Sequence, residues 1–552
     1  MKHRYIISAL AVALMSSACS DFLDTSLDRN QTGETIVTDR SSIWYFGYAF
    51  YSPIGYGYTT IDNNIFATAS DEAQQTSASS QVIYFNKGML NESVNPLFYL
   101  YQNCYEGIRA ANFFLEYVAD GKGEELLAQN RNLITDATNY KKDLESLAWF
   151  KAEAHIARAY YYSELIKMYG GVPIVESSQD DGQMIPRSTY EEVVEYIVKE
   201  IDDHKDALAV NWNDYTDREG RFTLGAALAI KARVLLYAAS PLHNESNDVK
   251  KWERAAAAVN ELVSNTSLSY SLDSDYSAYF SGGNPLSSSE TIYAVRSWSS
   301  NTMEALNYPI ATQGGGSGAT PTHNLVSAYE YIGTPDPSDP YANRDPRLAA
   351  SVVTNGSTWN GRIIDQSAGG SDDMAKANAS RTGYYLKKFL TDNLNLTQGQ
   401  TVQHNWVAYR WGEVLLNYAE AMNEAYGPDA VPAGFSMSAR QALQMVRDRA
   451  SSLLPQVTAT DVESFRKAVK HERRIELAFE DHRYWDLIRW KDAMEVLNTP
   501  VLGVKVSKSG DTYEYEVTEV AARTFHERNH YLPFLRSEIE NSNNTLEQNP
   551  QY

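Results

Sequence analysis

The segment 526–530, with the sequence HERNH, has the spacing of a zinc hydrolase: two histidines four residues apart around a glutamate. On a helix, His526 and His530 would face one metal ion, and Glu527 would position the attacking water. The context argues against that helix, because the segment contains asparagine, a poor helix former, and Pro533 follows almost at once. We therefore predict no metal site here and keep a zinc hydrolase using His526 and His530 as an alternative function.

No other pattern in the chain predicts catalysis. Gly121-Lys122 lacks the upstream spacing of a phosphate-binding loop, and the glycine-rich run 314–318 lacks the spacing of a nucleophile elbow. The adjacent acids Asp71 and Glu72 would serve glycoside hydrolysis only if two carboxylates faced each other across a cleft. The sequence therefore predicts a binding protein with no catalytic residues, no metal and no cofactor.

The composition is that of a folded, acidic protein. The chain has 552 residues, of which 43% are hydrophobic and 12% aromatic, so it can bury a large core. Its 48 basic and 70 acidic residues give a formal charge of −22, which repels phosphate backbones and anionic lipids. Nucleic acid and polyanionic substrates are therefore poor candidates for partners. The 38 tyrosines suit both cores and wet recognition surfaces.

Residues 1–18 are predicted to be a secretion leader. Two basic residues precede an apolar run at 5–15, which is too short to span a bilayer. Small residues then lead directly to Cys19, as in a bacterial lipoprotein processing site, although Ser16 stands where leucine is usual. We expect Cys19 to become the acylated N-terminus and the only attachment to a membrane. Ordinary cleavage nearby, giving a soluble secreted protein, is the alternative.

A charged and aromatic stretch at 472–490 is the most informative part of the chain. Its apolar residues fall three and four apart, so they share a helical face. Arg473 and Glu476 lie at helical neighbour spacing, as do Arg483 and Asp486. We predict a helix whose charges pair on the same or adjoining helices, and which clamps elements together without a catalytic role.

Alanine-rich amphipathic runs predict a mainly α-helical frame. Small residues recur along one stripe of the clearest run, which lets a neighbouring helix approach closely. The repeat length is irregular, so we predict hairpins similar to tetratricopeptide pairs rather than a regular array. The predicted helices cover 39–51, 96–118, 144–169, 224–239, 252–263, 414–426 and 439–450.

The composition of the chain changes between Ser264 and Gln403. Glycine pairs, a glycine-rich run at 314–318 and a proline-rich span at 335–346 mark loops, and short strand-like pieces such as 291–295 interrupt them. Loops on a rigid frame often carry binding residues. We therefore expect the ligand-binding insertion in this part of the chain.

Several motifs resemble those of a known family. The run ERRIELAFE at 472–480, followed by HRYWDL at 482–487, resembles the C-terminal signature of the SusD/RagB family of nutrient-binding outer-membrane lipoproteins. Asp481 stands where glycine is commoner, and we expect it to straighten a bend. Further family-like landmarks lie at 105–112, 344–348, 384–389 and 531–550.

The resemblance implies a fold, a location and a partner. The fold would be mainly α and SusD-like, with a helical N-terminal half at 19–263 and a C-terminal half at 264–552 that carries the loop-rich insertion with short β-strands. The protein would be a surface-exposed, lipid-anchored protein of the outer membrane. It would capture oligosaccharide and deliver it to a SusC-like TonB-dependent transporter. The RagB branch of the family binds peptides, so a peptide ligand is the alternative.

Binding a neutral oligosaccharide requires flat aromatic faces and short polar groups. The ligand loops of the family follow the first helices and lie in the central insertion, but they carry no fixed motif. The candidates therefore come from position and residue type. The predicted ligand-binding residues are Asp71, Tyr84, Asn86 and Asn95 in the early loop and Trp298, Tyr308 and Trp359 in the central one.

Overall fold

The long helices form where small and apolar residues recur at helical spacing. The computed structural model describes residues 40–179, 185–215, 218–281, 284–510 and 512–552, so the predicted leader and Cys19 lie outside the described residues. The first half contains α1 (Arg40–Ala49), α2 (Ile83–Asn86), α3 (Phe98–Tyr117), α4 (Lys122–Ala128), α5 (Ala137–Tyr169), α6 (Tyr190–His204), α7 (Leu224–Ala239) and α8 (Val249–Val263).

The second half begins with short helices and ends with longer ones. The short ones are α9 (Tyr276–Tyr279), α10 (Asn284–Ser287), α11 (Thr302–Asn307), α12 (His323–Val326) and α13 (Pro346–Ser351). They are followed by α14 (Trp411–Tyr426), α15 (Ala439–Arg447), α16 (Val462–Glu476), α17 (Arg483–Arg489), α18 (Ala493–Val496) and α19 (Arg536–Asn541).

Consecutive long helices pack against one another to form the frame. Helix α5 packs on α3 and α6, and α7 packs on α8. A Cβ atom on Gly107 of α3 would lie 2.1 Å from the ring of Tyr161 in α5, so only glycine permits this approach. Helix α14 packs on α8, α15 and α16, so both halves of the chain share one core. The predicted mainly α fold is confirmed, and this pairing is consistent with tetratricopeptide-like hairpins.

Some of the strands pair segments that lie far apart in the sequence. In the described residues they form five two-stranded antiparallel sheets, and the pair β1–β3 ties the early loop to the central insertion, with Ala73 opposite Pro321. The other pairs are β2–β8, β4–β7, β5–β6 and β9–β10. The strands are β1 (Ala73–Gln75), β2 (Thr291–Val295), β3 (Ala319–Pro321), β4 (Val352–Val353), β5 (Thr358–Trp359), β6 (Arg362–Ile363), β7 (Tyr385–Leu386), β8 (Trp406–Arg410), β9 (Val501–Ser509) and β10 (Thr512–Ala521).

The stretch 472–490 is two helices rather than the single one that its spacing predicts. Helix α16 ends at Glu476 and α17 begins at Arg483. Between them, Phe479 and Asp481 adopt left-handed φ angles of 67° and 64°, so Asp481 keeps the bend that we expected it to straighten. The stretch also joins two hydrophobic cores, because Phe479 is buried under the insertion and Trp485 is buried in the frame.

The charges of this stretch pair mainly across the fold. Arg473 Nε lies 3.0 Å from Asp486 across the bend, and Arg483 pairs with Asp71, so the predicted pairs Arg473–Glu476 and Arg483–Asp486 do not form. Glu476 instead belongs to a buried ion cluster with equal numbers of acids and bases. Its members are Glu290, Asp345, Glu472, Glu476 and Glu480, with Arg347, Lys388, Arg410, Arg447 and Arg449.

Candidate functional site

Asp71 lies in the early loop, but its carboxylate is already engaged. Arg474 Nη2 donates to Oδ2 at 2.6 Å, and Arg483 Nε donates to Oδ1 at 2.8 Å. Burial raises the pKa of this carboxyl, but the two guanidinium groups outweigh that effect and hold the pKa well below its usual range. Asp71 therefore fastens the early loop to α16 and α17. The predicted contact with a ligand is not supported, because the ion pairs already occupy both of its carboxylate oxygens.

Asn95 is likewise part of the scaffold. Its Nδ2 donates to Tyr169 Oη and to the carbonyl of Pro533, each at 2.9 Å, and its Oδ1 accepts from the amide of Leu97 at 3.1 Å. The side chain is buried and bonded at both ends. These bonds hold the start of α3 against the C-terminal segment and argue against a ligand contact.

Tyr84 and Asn86 remain candidates, because each keeps part of its side chain free. Tyr84 is half-buried against the frame core at the surface of α2. Asn86 Nδ2 donates to the carbonyl of Thr68 at 3.2 Å, whereas its buried Oδ1 has no partner among the described residues. A buried acceptor without a donor is destabilising unless a ligand or water supplies one. Asn86 also lines a small surface cleft.

Tyr308 and Trp359 pack against each other beneath the surface. Their ring centroids lie 5.4 Å apart in an edge-to-face arrangement, and the two side chains are 0% and 1% exposed. The hydroxyl of Tyr308 donates to the carbonyl of Thr391. Neither ring offers a face to a sugar, so the predicted ligand contacts are not supported for this pair. The two rings instead form part of the core under the insertion.

Trp298 is the most exposed large hydrophobic side chain in the described part of the chain, at 92%. It lies between β2 and α11, on a loop that is fixed at several points. Ser300 and Val402 exchange backbone hydrogen bonds of 2.9 and 3.0 Å, and Gln403 Nε2 donates to the carbonyl of Ser297 at 2.9 Å. Because these bonds order the backbone of the loop, a ligand that stacks on the indole would bind without the entropy cost of ordering the loop.

A cleft of about 560 Å³ adjoins this loop, and we name it the aromatic cleft. Its volume falls within the range of about 300–1,000 Å³ that is typical of small-molecule sites. Half-buried aromatic rings share the surface with exposed amides and with exposed or half-buried hydroxyls, as sugar recognition requires. Lining residues of these types are Tyr215, Tyr270, Asn211, Asn213, Ser288 and Ser289.

An ion pair connects the Trp298 loop to the rim of the aromatic cleft. Arg296 Nη1 lies 3.0 Å from Glu219 Oε2, and the Arg296 side chain passes over Gly220. Both Glu219 and Gly220 line the cleft. Strand β2 also runs from the cleft wall towards Trp298. Because Arg296 connects the Trp298 loop to the rim, we treat Trp298 and the cleft as one candidate site.

One wall of this cleft, the segment 211–215, was not among the predicted ligand-binding residues. Its sequence, NWNDY, combines two amides with two aromatic rings and so meets the chemical criterion for sugar binding. It lies in the first half of the chain, between α6 and α7, whereas we expected the insertion to begin at Ser264. The residue types alone would have identified this segment as a candidate. It was excluded because it lies outside the part of the chain in which the insertion was expected.

The HERNH segment does not form a zinc-binding helix. Residues Glu527–His530 form a single 3₁₀ turn; His526 precedes it and is exposed, whereas His530 ends it and is buried. His530 Nδ1 lies 2.7 Å from the carbonyl of Glu527. The two histidines therefore differ in environment and are not presented from one α-helical face to a common ligand.

One other group of residues could be considered for a metal ion. His155, Glu200 and His204 have potential ligand atoms within 4.8 Å of one another, and no other such group occurs in the described residues. Arg158 Nε and Nη2 already donate to Glu200 Oε2 at 2.9 and 2.5 Å, and the two imidazole rings stack face to face at 3.4 Å. The guanidinium group neutralises the carboxylate, so the arrangement is that of a buried ion pair between α5 and α6.

Within the residues that the structure describes, none of the helices has the length and apolarity needed to cross a membrane.

Two family models match the chain. The model described as SusD family matches residues 288–552, and the model described as starch-binding associating with outer membrane matches residues 21–236. SusD-like protein P38 of Formosa agariphila is 24% identical over 379 residues, which cover 64% of this chain and 69% of that protein.

Solved structures share the fold over nearly the whole chain. A SusD-like protein from Bacteroides fragilis has a TM-score of 0.75 and 26% identity, and the match covers 94% of this chain and 98% of that one. A SusD-like carbohydrate-binding protein from the same organism has a TM-score of 0.73 and 22% identity, with coverage of 91% and 98%.

Proposed function

Because the chain belongs to the SusD/RagB family, which includes carbohydrate-binding proteins, we propose that it captures oligosaccharide at the cell surface and delivers it to a SusC-like TonB-dependent transporter. The oligosaccharide would stack on Trp298 and extend along the aromatic cleft. A few stacking contacts give modest affinity, which suits a protein that must release its cargo.

The exposure of Trp298 is the observation that carries this proposal. A tryptophan at 92% exposure contributes almost no burial to folding, yet the loop around it is held by hydrogen bonds to the segment 400–403. Amides and hydroxyls lie in the adjoining cleft, where they could bond sugar hydroxyl groups. We propose that the site binds the oligosaccharide without converting it chemically.

Replacing Trp298 with alanine is expected to weaken oligosaccharide binding about tenfold, because one stacking contact is lost. Calorimetric titration of the wild-type protein and the variant with the best binder from a panel of neutral and acidic oligosaccharides would measure the change. Tyr45→Ala is the matched control, since Tyr45 is an exposed aromatic residue (73%) on α1, outside the site. Equal affinities of the Trp298 and Tyr45 variants would contradict the assignment of the site. Tight binding of peptides instead of sugars would favour the RagB-like alternative.

We further propose that the protein is lipid-anchored through Cys19 in the outer membrane. The description of the matching N-terminal family model supports this location. Cys19→Ser should abolish incorporation of labelled fatty acid and release the protein from the membrane fraction, because a thioether-linked lipid requires the cysteine sulfur. Membrane retention and labelling that persist in the variant would show that the anchor lies elsewhere.

A further inference from the structure

A second, smaller cleft of about 260 Å³ lies between β1, α2 and the end of β10, and we name it the basic cleft. Its volume is just below the range of about 300–1,000 Å³ for drug-sized sites, so it suits a single ligand group. Three cations line it, namely Lys87, Arg381 and Arg523, and no acidic side chain does so among the described residues. Such a cleft is unexpected in a chain with a formal charge of −22.

None of these three cations has a carboxylate partner within the described ranges. The exposed guanidinium group of Arg381 has no hydrogen bond or ion pair to any described residue. Lys87 Nζ donates to the carbonyl of Ala522, and the buried Arg523 donates to the carbonyls of Ser70 and Ala73. These carbonyl groups accept hydrogen bonds from Lys87 and Arg523 but leave their positive charges uncompensated.

Asp71 and Asp62, two carboxylates close to the basic cleft in the fold, do not neutralise it. Asp71 acts electrostatically on Arg523, but it forms ion pairs with Arg474 and Arg483. Asp62 accepts hydrogen bonds from Ser80 and from the amide of Gln81 and does not line the cleft. Burial lowers the pKa of Arg523 to about 10, so the group stays charged at neutral pH.

Polar groups next to the cations indicate a ligand that carries hydrogen-bonding groups as well as a negative charge. Asn86 lines the cleft, and its buried Oδ1 lacks a partner among the described residues and requires a donor, which a fully deprotonated anion such as sulfate cannot supply. The amide orientation of Asn86 is fixed by the bond from Nδ2 to Thr68. Gln75 and Thr76 add further polar side chains to the lining. A sugar that carries both an anionic group and hydroxyls would satisfy both kinds of group.

We propose that the basic cleft binds the anionic group of an acidic sugar residue, a uronate carboxylate or a sulfate ester, through Arg381 and Lys87, while Asn86 Oδ1 accepts a neighbouring hydroxyl. The proposal rests on the proposed glycan-binding function and narrows its ligand class. The overall negative charge does not prevent this contact, since screening limits long-range repulsion to about 8 Å at physiological salt.

Removing one cation from the cleft tests the proposal. The wild-type protein is expected to bind trigalacturonic acid, or a sulfated carrageenan tetrasaccharide, about tenfold more tightly than the neutral oligosaccharides obtained by reducing the carboxylates or removing the sulfates. Arg381→Gln should remove that advantage and leave binding of the neutral sugars unchanged. Comparing trigalacturonic acid with the sulfated tetrasaccharide shows whether the cleft binds a uronate carboxylate or a sulfate ester.

Lys467→Gln is the matched control, because it removes one charge from an exposed pair with Glu463 on α16. Thermal unfolding of each variant checks folding, and the salt dependence of wild-type binding supplies a second measurement, since only the acidic sugars should lose affinity as NaCl rises. Acidic sugars that bind no more tightly than neutral ones, or equal losses in the two variants, would overturn the proposal. In that case Trp298-dependent binding of neutral sugars would leave the proposed function intact, whereas failure of every sugar to bind would overturn both.

Discussion

Replacing Glu476 with glutamine is expected to lower the free energy of unfolding by about 3–5 kcal/mol, as measured by urea denaturation followed by tryptophan fluorescence. Glu476 Oε1 accepts from Arg410 at 2.9 Å and Arg449 at 2.7 Å, and Oε2 accepts from Arg347 at 2.8 Å. The residue is fully buried. Burial raises the pKa of its carboxyl, but the three guanidinium groups outweigh burial and hold the pKa well below its usual range. The variant would leave one buried positive charge without compensation.

The same helix provides the matched control. Glu463 lies in the first turn of α16 and forms a pair of 3.0 Å with Lys467, in which both side chains are more than 70% exposed. Solvent screens such a pair, so Glu463→Gln should change stability little. A Glu476 variant as stable as the Glu463 variant would mean that the buried ion cluster rearranges when one charge is lost.

The buried ion cluster explains how a loop-rich insertion can present an ordered binding surface. Glu290 immediately precedes β2, the strand that leads to Trp298, and it accepts from Arg410 and Arg449. Arg410 ends β8, the partner strand of β2. The cluster therefore anchors the strand pair that carries the Trp298 loop, and it does so with ion pairs that require one specific geometry. Glu476 is expected to affect binding through this strand pair, although it contacts no ligand.

Sequence alone predicted most elements that have strong local signals. Helix α7 was predicted with its observed bounds, 224–239, and strand β2 with its bounds, 291–295. Helix α6 was missed, because its buried face is rich in valine and isoleucine, which favour strands. The capping box formed by Thr189 and Glu192 was the signal that could have located its start.

The ion pairs and the burial of candidate site residues could not be predicted in the same way. Spacing indicated Arg473–Glu476, but the bend after α16 brings Arg473 to Asp486 instead, and a non-glycine bend has no clear sequence signal. Trp298 lies in a loop and Trp359 in the two-residue strand β5, and neither segment is long enough to show a periodicity, yet one side chain is 92% exposed and the other 1%. Their exposure depends on long-range contacts, such as the packing of Trp359 against Tyr308.

Replacing Glu72 with glutamine is expected to stabilise the protein at neutral pH. Glu72 is 1% exposed, and its Oε2 accepts only a weak bond of 3.3 Å from the amide of Phe479, while Oε1 has no partner among the described residues. The neighbouring Asp71 engages both Arg474 and Arg483. Burial, reinforced by the charge of Asp71, raises the pKa of Glu72 from 4.5 to about 8.

This raised pKa determines how the effect of Glu72→Gln should vary with pH. The folded state binds the Glu72 proton more tightly than the unfolded state, so the contribution of this group to stability is greatest below pH 4.5 and is lost as the pH rises towards 8. Glutamine does not titrate, so the stability gained by Glu72→Gln should increase by about 3 kcal/mol between pH 4.5 and pH 7, as measured by urea denaturation across that range. Asp71→Asn is the control with the opposite pH dependence. The pKa of Asp71 is lowered, so the loss of its carboxylate should destabilise the protein most at neutral pH and least in acid.

A stability difference between wild type and Glu72→Gln that does not change with pH would contradict the raised pKa of Glu72. It would require Glu72 to titrate at its ordinary pKa, and hence to have a partner that balances its charge.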